Sequence, residues 1–261
     1  MLDAETLATL FAIAILAGCF DAIAGGGGLI TVPALLLAGL PPLEVIATNK
    51  LQTTFGSTSS SLTFARRGLI EWRSAIPFAL LAFAGSIAGA LSVKLVPRPV
   101  LEAAVPVMLI IIASYFALSR RMTNEDAKAK VSPLLFGALI PPVVGFYDGI
   151  FGPGAGSFYM AGFVSLLGYG VVKATAHTKL ANAGSNWGSL LVFMVSGSIV
   201  WTVGLIMGVG SLIGAQIGSR LAIRFGATLI RPLLVVICIA MTVRLLADPQ
   251  NPLRVFAEQI L

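Results

Sequence analysis

Apolar runs separated by short polar breaks occupy almost the whole chain. They cover Leu7 to Phe20, Leu29 to Leu40, Leu51 to Ala65, Ala75 to Val96, Val100 to Leu118, Pro133 to Phe146, Phe158 to Leu167, Leu180 to Val195, Val203 to Ala222 and Leu229 to Leu246. A transmembrane helix needs about 20 such residues; Ala75 to Val96 and Val203 to Ala222 reach that length. The runs beside two glycine clusters are shorter. The first cluster reads Asp21-Ala22-Ile23-Ala24-Gly25-Gly26-Gly27-Gly28, the second Asp148-Gly149-Ile150-Phe151-Gly152-Pro153-Gly154-Ala155-Gly156. Glycines there bare backbone amides inside apolar helix, a break tolerated only where it lines a cavity or packs in protein. The flanking pieces read as half-helices of a re-entrant hairpin, or as one long broken helix.

The two clusters belong to a duplication. Asp21, Ile23, Gly25, Gly27 and Ala34 match Asp148, Ile150, Gly152, Gly154 and Ala161. After a small insertion in the second half, Lys50-Leu51 matches Lys179-Leu180 and Phe64 matches Phe193. Gly68-x-Ile70-x-Trp72 matches Gly197-x-Ile199-x-Trp201, and Gly85 and Gly89 match Gly214 and Gly218. The chain has only three tryptophans, so two in one register argue against chance similarity. Paired helix breaks at matching positions of two halves point to a transporter's binding site.

Composition agrees: 261 residues, 57% hydrophobic and 11% charged, describe an all-α polytopic membrane protein. Residues 1–118 form the first repeat and 133–261 the second. Residues 119–132, with Asn124-Glu125-Asp126-Ala127-Lys128, form a hydrophilic, solvated linker. The first run is expected to be retained, because Asp3 and Glu5 precede it with no early Lys or Arg, unlike a secretory signal. The net charge of +6 sits mostly in short loops, so it reports orientation rather than nucleic-acid binding. Arg66, Arg67 and Arg73 crowd one loop, Arg120, Arg121, Lys128 and Lys130 the linker, and Arg220, Arg224 and Arg231 a third. These loops are expected on the cytoplasmic side. Ser196-Gly197-Ser198, the repeat mate of the Arg66–Arg67 loop, is uncharged. Mates on opposite sides require an odd number of crossings per half. Three transmembrane helices plus one non-crossing Gly-rich hairpin supply it, giving two inverted repeats with both termini outside. Four crossings per half would give parallel repeats, which the charge pattern fits less well.

The helix after each hairpin begins polar. Asn49, Thr53, Ser57 and Ser60 share one helical face, and so do their mates Thr178, Asn182, Asn186 and Ser189. Lipid cannot satisfy such a stripe. Asn49, Asn182 and Asn186 read as site lining; Ser59, Ser60 and Ser189 read as interhelical packing. Half-helix starts present free N–H groups and the positive dipole end, so two facing tips would cradle an anion. Lys50 and Lys179 either add charge to that site or snorkel to the surface. Asp21 and Asp148 either carry a proton or cap hairpin amides. His177, the only histidine, keeps a proton-coupling role open, but one histidine makes no metal centre. Cys19 and Cys238 lack any CxxC spacing and read as packing residues. The small-residue rows Gly85-x-x-x-Gly89 and Gly210, Gly214, Gly218 let helices approach closely; Gly210-x-x-x-Gly214 also leaves a homodimer interface open.

The Asp–Gly-rich hairpin followed by Val32-Pro33, then a Thr48-Asn49-Lys50 helix, with the module repeated, resembles the TauE/SafE family of sulfite exporter-like membrane proteins. The resemblance covers nearly the whole chain. It departs in the second hairpin, where Pro153 and Ala155 interrupt the glycines and no Val-Pro follows. It implies a secondary transporter exporting sulfite, thiosulfate or an organosulfonate across the plasma membrane, a bacterial inner membrane, with no cofactor and no metal. The expected anion site comprises Gly26, Gly27, Gly28, Asn49, Lys50, Thr53, Ser57, Gly154, Ala155, Gly156, Lys179, Asn182 and Asn186. Asp21, Asp148 and His177 are the coupling candidates. A passive anion channel is the alternative. An intramembrane enzyme is the third class, and the chain lacks the paired carboxylates or serine–histidine unit that most such chemistry needs.

Overall fold

The structure, a computed structural model, describes residues 2–93, 95, 110–111, 113–114, 117–118 and 123–247. These residues hold nine helices: α1 (Ala4–Ala24), α2 (Gly28–Leu37), α3 (Pro42–Arg66), α4 (Trp72–Leu91), α5 (Pro133–Ile150), α6 (Ala155–Ser165), α7 (Val171–Ser196), α8 (Trp201–Phe225) and α9 (Ala227–Ala247). Most of the Val100 to Leu118 run, together with Arg120 and Arg121, lies outside the described residues. Five helices are long and apolar enough to cross a bilayer: α1, α4, α5, α8 and the Ala227–Arg244 part of α9. Large apolar side chains such as Leu80, Val143, Val195 and Val236 are exposed, as lipid contact requires. The chain is therefore an all-helical, multi-pass membrane protein. The polar helices α3 and α7 are longer still, at 25 and 26 residues, and they bury Asn49, Lys50, Ser57, Lys179, Asn182 and Asn186.

The first hairpin arm exceeds its apolar run. α1 starts where Asp3 Oδ1 accepts the Thr6 N–H at 2.9 Å and continues through Asp21 to Ala24, 21 residues in all. At 1.5 Å per residue that is about 31 Å, the thickness of a hydrocarbon core. The carboxylate of Asp21 is accommodated in the last turn because it has partners there. Gly25, at φ 73°, ends the helix in a left-handed conformation open to glycine. Gly152 (φ 92°) and Gly154 (φ 88°) make the corresponding break between α5 and α6.

In both pairs the second helix folds back along the first. Leu35 of α2 shares a core with Leu10 and Ala14 of α1. In the second half, Phe158 packs on Tyr147 with ring centroids 5.0 Å apart, and Phe163 on Phe136, also at 5.0 Å. Packing between the halves is reciprocal: α1 lies along α8 as α5 lies along α4, and α3 meets α8 as α7 meets α4. The glycine rows serve these contacts. Gly214 and Gly218 of α8 back onto the Ile15 and Cys19 carbonyls of α1; Gly85 and Gly89 of α4 back onto the Pro142 and Phe146 carbonyls of α5. The Gly210-x-x-x-Gly214 row is thus consumed inside the chain, since Gly210 abuts the Phe11 carbonyl.

α3 and α7 cross in opposite directions. Ala47 and Leu51, early in α3, cluster with Leu190 and Phe193, late in α7. Thr48 Oγ1 accepts the Val200 N–H at 3.1 Å beyond the end of α7. Reciprocally, His177 Nε2 accepts the Glu71 N–H at 3.4 Å beyond the end of α3. At the Glu71 end, Lys173 bridges Glu71 (2.7 Å) and Asp126 (2.8 Å), and Asn124 Oδ1 accepts the Ala227 N–H that opens α9. The linker is more than a solvated connector. Its backbone is pinned to the α6–α7 turn through Ala127 N–H to Gly168 O (2.7 Å), Lys130 N–H to Leu166 O (2.8 Å) and Val171 N–H to Thr123 O (2.8 Å). Burial disfavours the Asp126 carboxylate, yet the Gly170 N–H and Lys173 together hold its carboxyl below the usual range.

Candidate anion site between the hairpin tips

The two hairpin tips meet. A Cβ placed on Gly25 would lie 2.7 Å from Gly156 Cα, so only hydrogen fits at this contact. Ser157 Oγ ties the tips further by donating to Gly25 O at 3.1 Å. Beside the contact lies a cavity of about 30 Å³, lined by Gly25 to Gly28, Gly152, Gly154, Ala155 and Gly156 from the tips. Asn49, Lys50, Thr53, Asn182 and Asn186 from α3 and α7, with Asp21 and Asp148, complete it. A buried water needs about 10–15 Å³, so the cavity has room for about two or three. In this conformation the narrow site is filled mostly by its own groups.

The tips supply unpaired donors. Gly25 N–H bonds to Asp21 O, Gly27 N–H to Asp21 Oδ1, and Ala155 N–H to Gly152 O. The N–H groups of Gly26, Gly28, Gly154 and Gly156 have no hydrogen-bond partner among the described residues. Four free amides on one cavity, at the starts of α2 and α6, favour negative charge.

The lysines neither snorkel nor stand free. Lys50 of α3 crosses to the other half and donates to Asp148 Oδ1 at 2.6 Å; Lys179 of α7 crosses back to Asp21 Oδ2 at 3.1 Å and also donates to Asp21 O. Both lysines are 1% exposed. Such buried pairs are costly to desolvate, and removing one partner typically costs about 3–5 kcal/mol. The carboxylates differ. Asp21 caps the Gly27 amide at 3.1 Å, the capping role open in the sequence. Asp148 caps no tip amide; its second oxygen accepts from Ser185 Oγ at 2.5 Å.

The polar stripe splits between site and support. Asn186 Oδ1 accepts from Lys50 Nζ (3.4 Å) and Thr53 Oγ1 (3.2 Å), and its Nδ2 donates to Ser57 Oγ at 3.4 Å. Ser57 is buried behind Asn186 and does not line the cavity. Lys179 is likewise outside the lining and reaches it through Asp21. Asn49 is locked by Thr31 Oγ1 (2.6 Å) and Gln52 Nε2 (2.9 Å). Asn182 is 5% exposed, yet its Oδ1 has no partner. Ser60 and Ser189 bond to carbonyls of their own helices, and Ser59 accepts from Gln216 Nε2 at 2.7 Å. His177 is away from the cavity, its Nδ1 2.9 Å from Lys173 O and its ring against Tyr169 at 4.9 Å. Ser185, which reaches the site through Asp148, was not expected there. The repeat register aligns two acids and two lysines, which was the available signal for the crossed pairs.

A profile for the family described as Sulfite exporter TauE/SafE matches residues 10–245. The chain is 53% identical over 250 residues to a probable membrane transporter protein, ORF9, of Sinorhizobium sp., covering 96% of each chain. It is 44% identical to the probable membrane transporter protein YfcA of Escherichia coli K12, over 95% of this chain and 92% of that one. A probable membrane transporter protein of Haemophilus influenzae is 41% identical over 94% of this chain and 96% of its own. No solved structure matches the chain.

Proposed function

Because the chain belongs to the TauE/SafE sulfite exporter family, we propose that it is a secondary transporter exporting a small sulfur-containing anion across a bacterial plasma membrane. Sulfite, thiosulfate and organosulfonates are the candidate cargoes. The observation that carries this reading is the cluster of four unpartnered amides and the Lys50 ammonium on one cavity at the junction of the halves. An oxyanion offers several acceptor oxygens to such donors, and charge-assisted hydrogen bonds of this kind are among the stronger ones. Gly26, Gly28, Gly154 and Gly156 would bind the anion through their N–H groups; Lys50, Asn182, Asn186 and Thr53 would flank it.

We read the halves as inverted repeats with re-entrant hairpins. The crossed directions of α3 and α7 support this, as does the gathering of the Glu71 loop, the linker and the α8–α9 turn at one end. The Ser196–Ser198 turn belongs to the other end, beside Thr48. A carrier fits better than a channel because the cavity is narrow and ion pairs cross it between the halves. Purified protein in liposomes preloaded with unlabelled anion should accumulate labelled sulfite or thiosulfate by counterflow. A channel would conduct without counterflow, and absence of both activities would reject the reading. Cysteines at Arg67 and Ser198 should label from opposite sides; labelling from one side rejects the inverted arrangement.

A further inference from the structure

The site contains two buried ammoniums and two buried carboxylates, each lysine already engaged by an aspartate of the other half. An entering anion therefore meets lysines that are neutralised. Its charge would make the cluster net negative in a space with room for about two or three waters. We infer that anion binding is coupled to proton uptake on Asp148: the anion takes Lys50 from Asp148, and the released carboxylate accepts one proton from solution. This rests on the cradle reading above and names its coupling ion. The balance is one monoanion and one proton in, with the cluster remaining neutral.

Asp148 is singled out over Asp21 by their different partners. When Lys179 moves, Asp21 still holds the Gly27 amide, and its side chain is 21% exposed. When Lys50 moves, Asp148, 5% exposed, retains only the Ser185 hydroxyl. An uncompensated carboxylate at that burial takes a proton rather than stay charged. Ser185 can accept that proton's hydrogen bond, since its own hydrogen can turn to Asn182 O, 3.2 Å away. The other titratable groups facing Asp148 are Tyr159 of α6 and Tyr147 of α5. Asp21 of α1 lines the same cavity, with Lys179 of α7 behind it. Among these, only a carboxylate takes up a proton from its ionised form near neutral pH.

The test uses methanesulfonate and thiosulfate, whose charge does not titrate near neutral pH, with full-length protein in detergent. Binding is read by protection from thermal unfolding, and protons by a pH indicator in weak buffer. Roughly one proton should be absorbed per methanesulfonate bound, and affinity should fall about tenfold per pH unit as pH rises. Asp148→Asn should bind the anion with no proton uptake and a flat pH profile. Binding without proton uptake in the parent overturns the coupling and leaves the cradle standing. Persistence of uptake in Asp148→Asn also overturns the assignment to Asp148. If neither probe protects the parent, the cradle reading fails and the coupling falls with it.

Discussion

Gly156→Ala isolates the tip contact. Gly156 has no positive φ, so alanine is conformationally acceptable and the perturbation is steric. The new Cβ would lie 2.6 Å from Gly25 Cα. Ordinary carbon contacts are about 3.5–4.0 Å, so the tips must part by roughly 1 Å. Gly25 cannot yield alone, because it is left-handed and bonded to Asp21 O at 2.8 Å. The methyl also lies 3.0 Å from Asn182 Nδ2 and takes room from a cavity of about 30 Å³. Overpacking of this kind costs about 1–3 kcal/mol of stability. Parting the tips forfeits about one hydrogen bond to the anion, roughly 1.5–3 kcal/mol for a charged acceptor, or about ten- to a hundredfold in affinity. Ligand-induced thermal shift and counterflow measure both effects. Gly208→Ala is the control, since its Cβ meets only the Phe55 ring at 3.0 Å, away from the cavity. If Gly156→Ala binds and moves the anion like Gly208→Ala, the tips do not seat the substrate.

Asn182→Ala should leave thermal stability near the parent's, because its Oδ1 holds no partner, yet weaken anion binding. Asn49→Ala should destabilise by about 1–3 kcal/mol by removing the acceptor that Thr31 and Gln52 share, two hydrogen bonds in all; equal melting temperatures for the two variants would contradict this division. Lys50→Met should destabilise by about 3–5 kcal/mol, and adding Asp148→Asn should recover much of that in a thermal melt; strict additivity would argue against the 2.6 Å pair. The linker tether should be acid-sensitive. Asp126 has a lowered folded value, so its contribution is fully present above the ordinary carboxylate value of about 3.8 and is lost as pH falls through the folded one. Proteolysis of the linker should therefore rise in acid for the parent, while Asp126→Asn should be cleaved readily at neutral pH too.

Local pattern was enough to specify several things about this chain. Apolar run length dictates membrane helices, because lipid leaves the backbone no partner but itself. Register similarity exposes the duplication, and the glycine clusters mark the breaks through the left-handed φ of Gly25, Gly152 and Gly154. The stripe of Asn182, Asn186 and Thr53 announces a polar interior since lipid offers it nothing. The length of α1 was not legible, because a carboxylate such as Asp21 ends an apolar run even where Lys179 and the Gly27 amide make it acceptable inside a helix. Tertiary structure alone decided the partners. Lys50 reaches Asp148 across 98 positions, and Lys179 reaches Asp21 across 158; helical periodicity carries no information at such separations. It also decided that repeat mates are unequal. Asp21 caps an amide while Asp148 turns to Ser185, and Asn49 is locked while its mate Thr178 has no partner at its hydroxyl. Duplication places equivalent residues at equivalent positions, but each side chain bonds to neighbours that have since diverged, such as Thr31 where the second half has Phe158. That divergence makes the two ion pairs chemically distinct at one cavity.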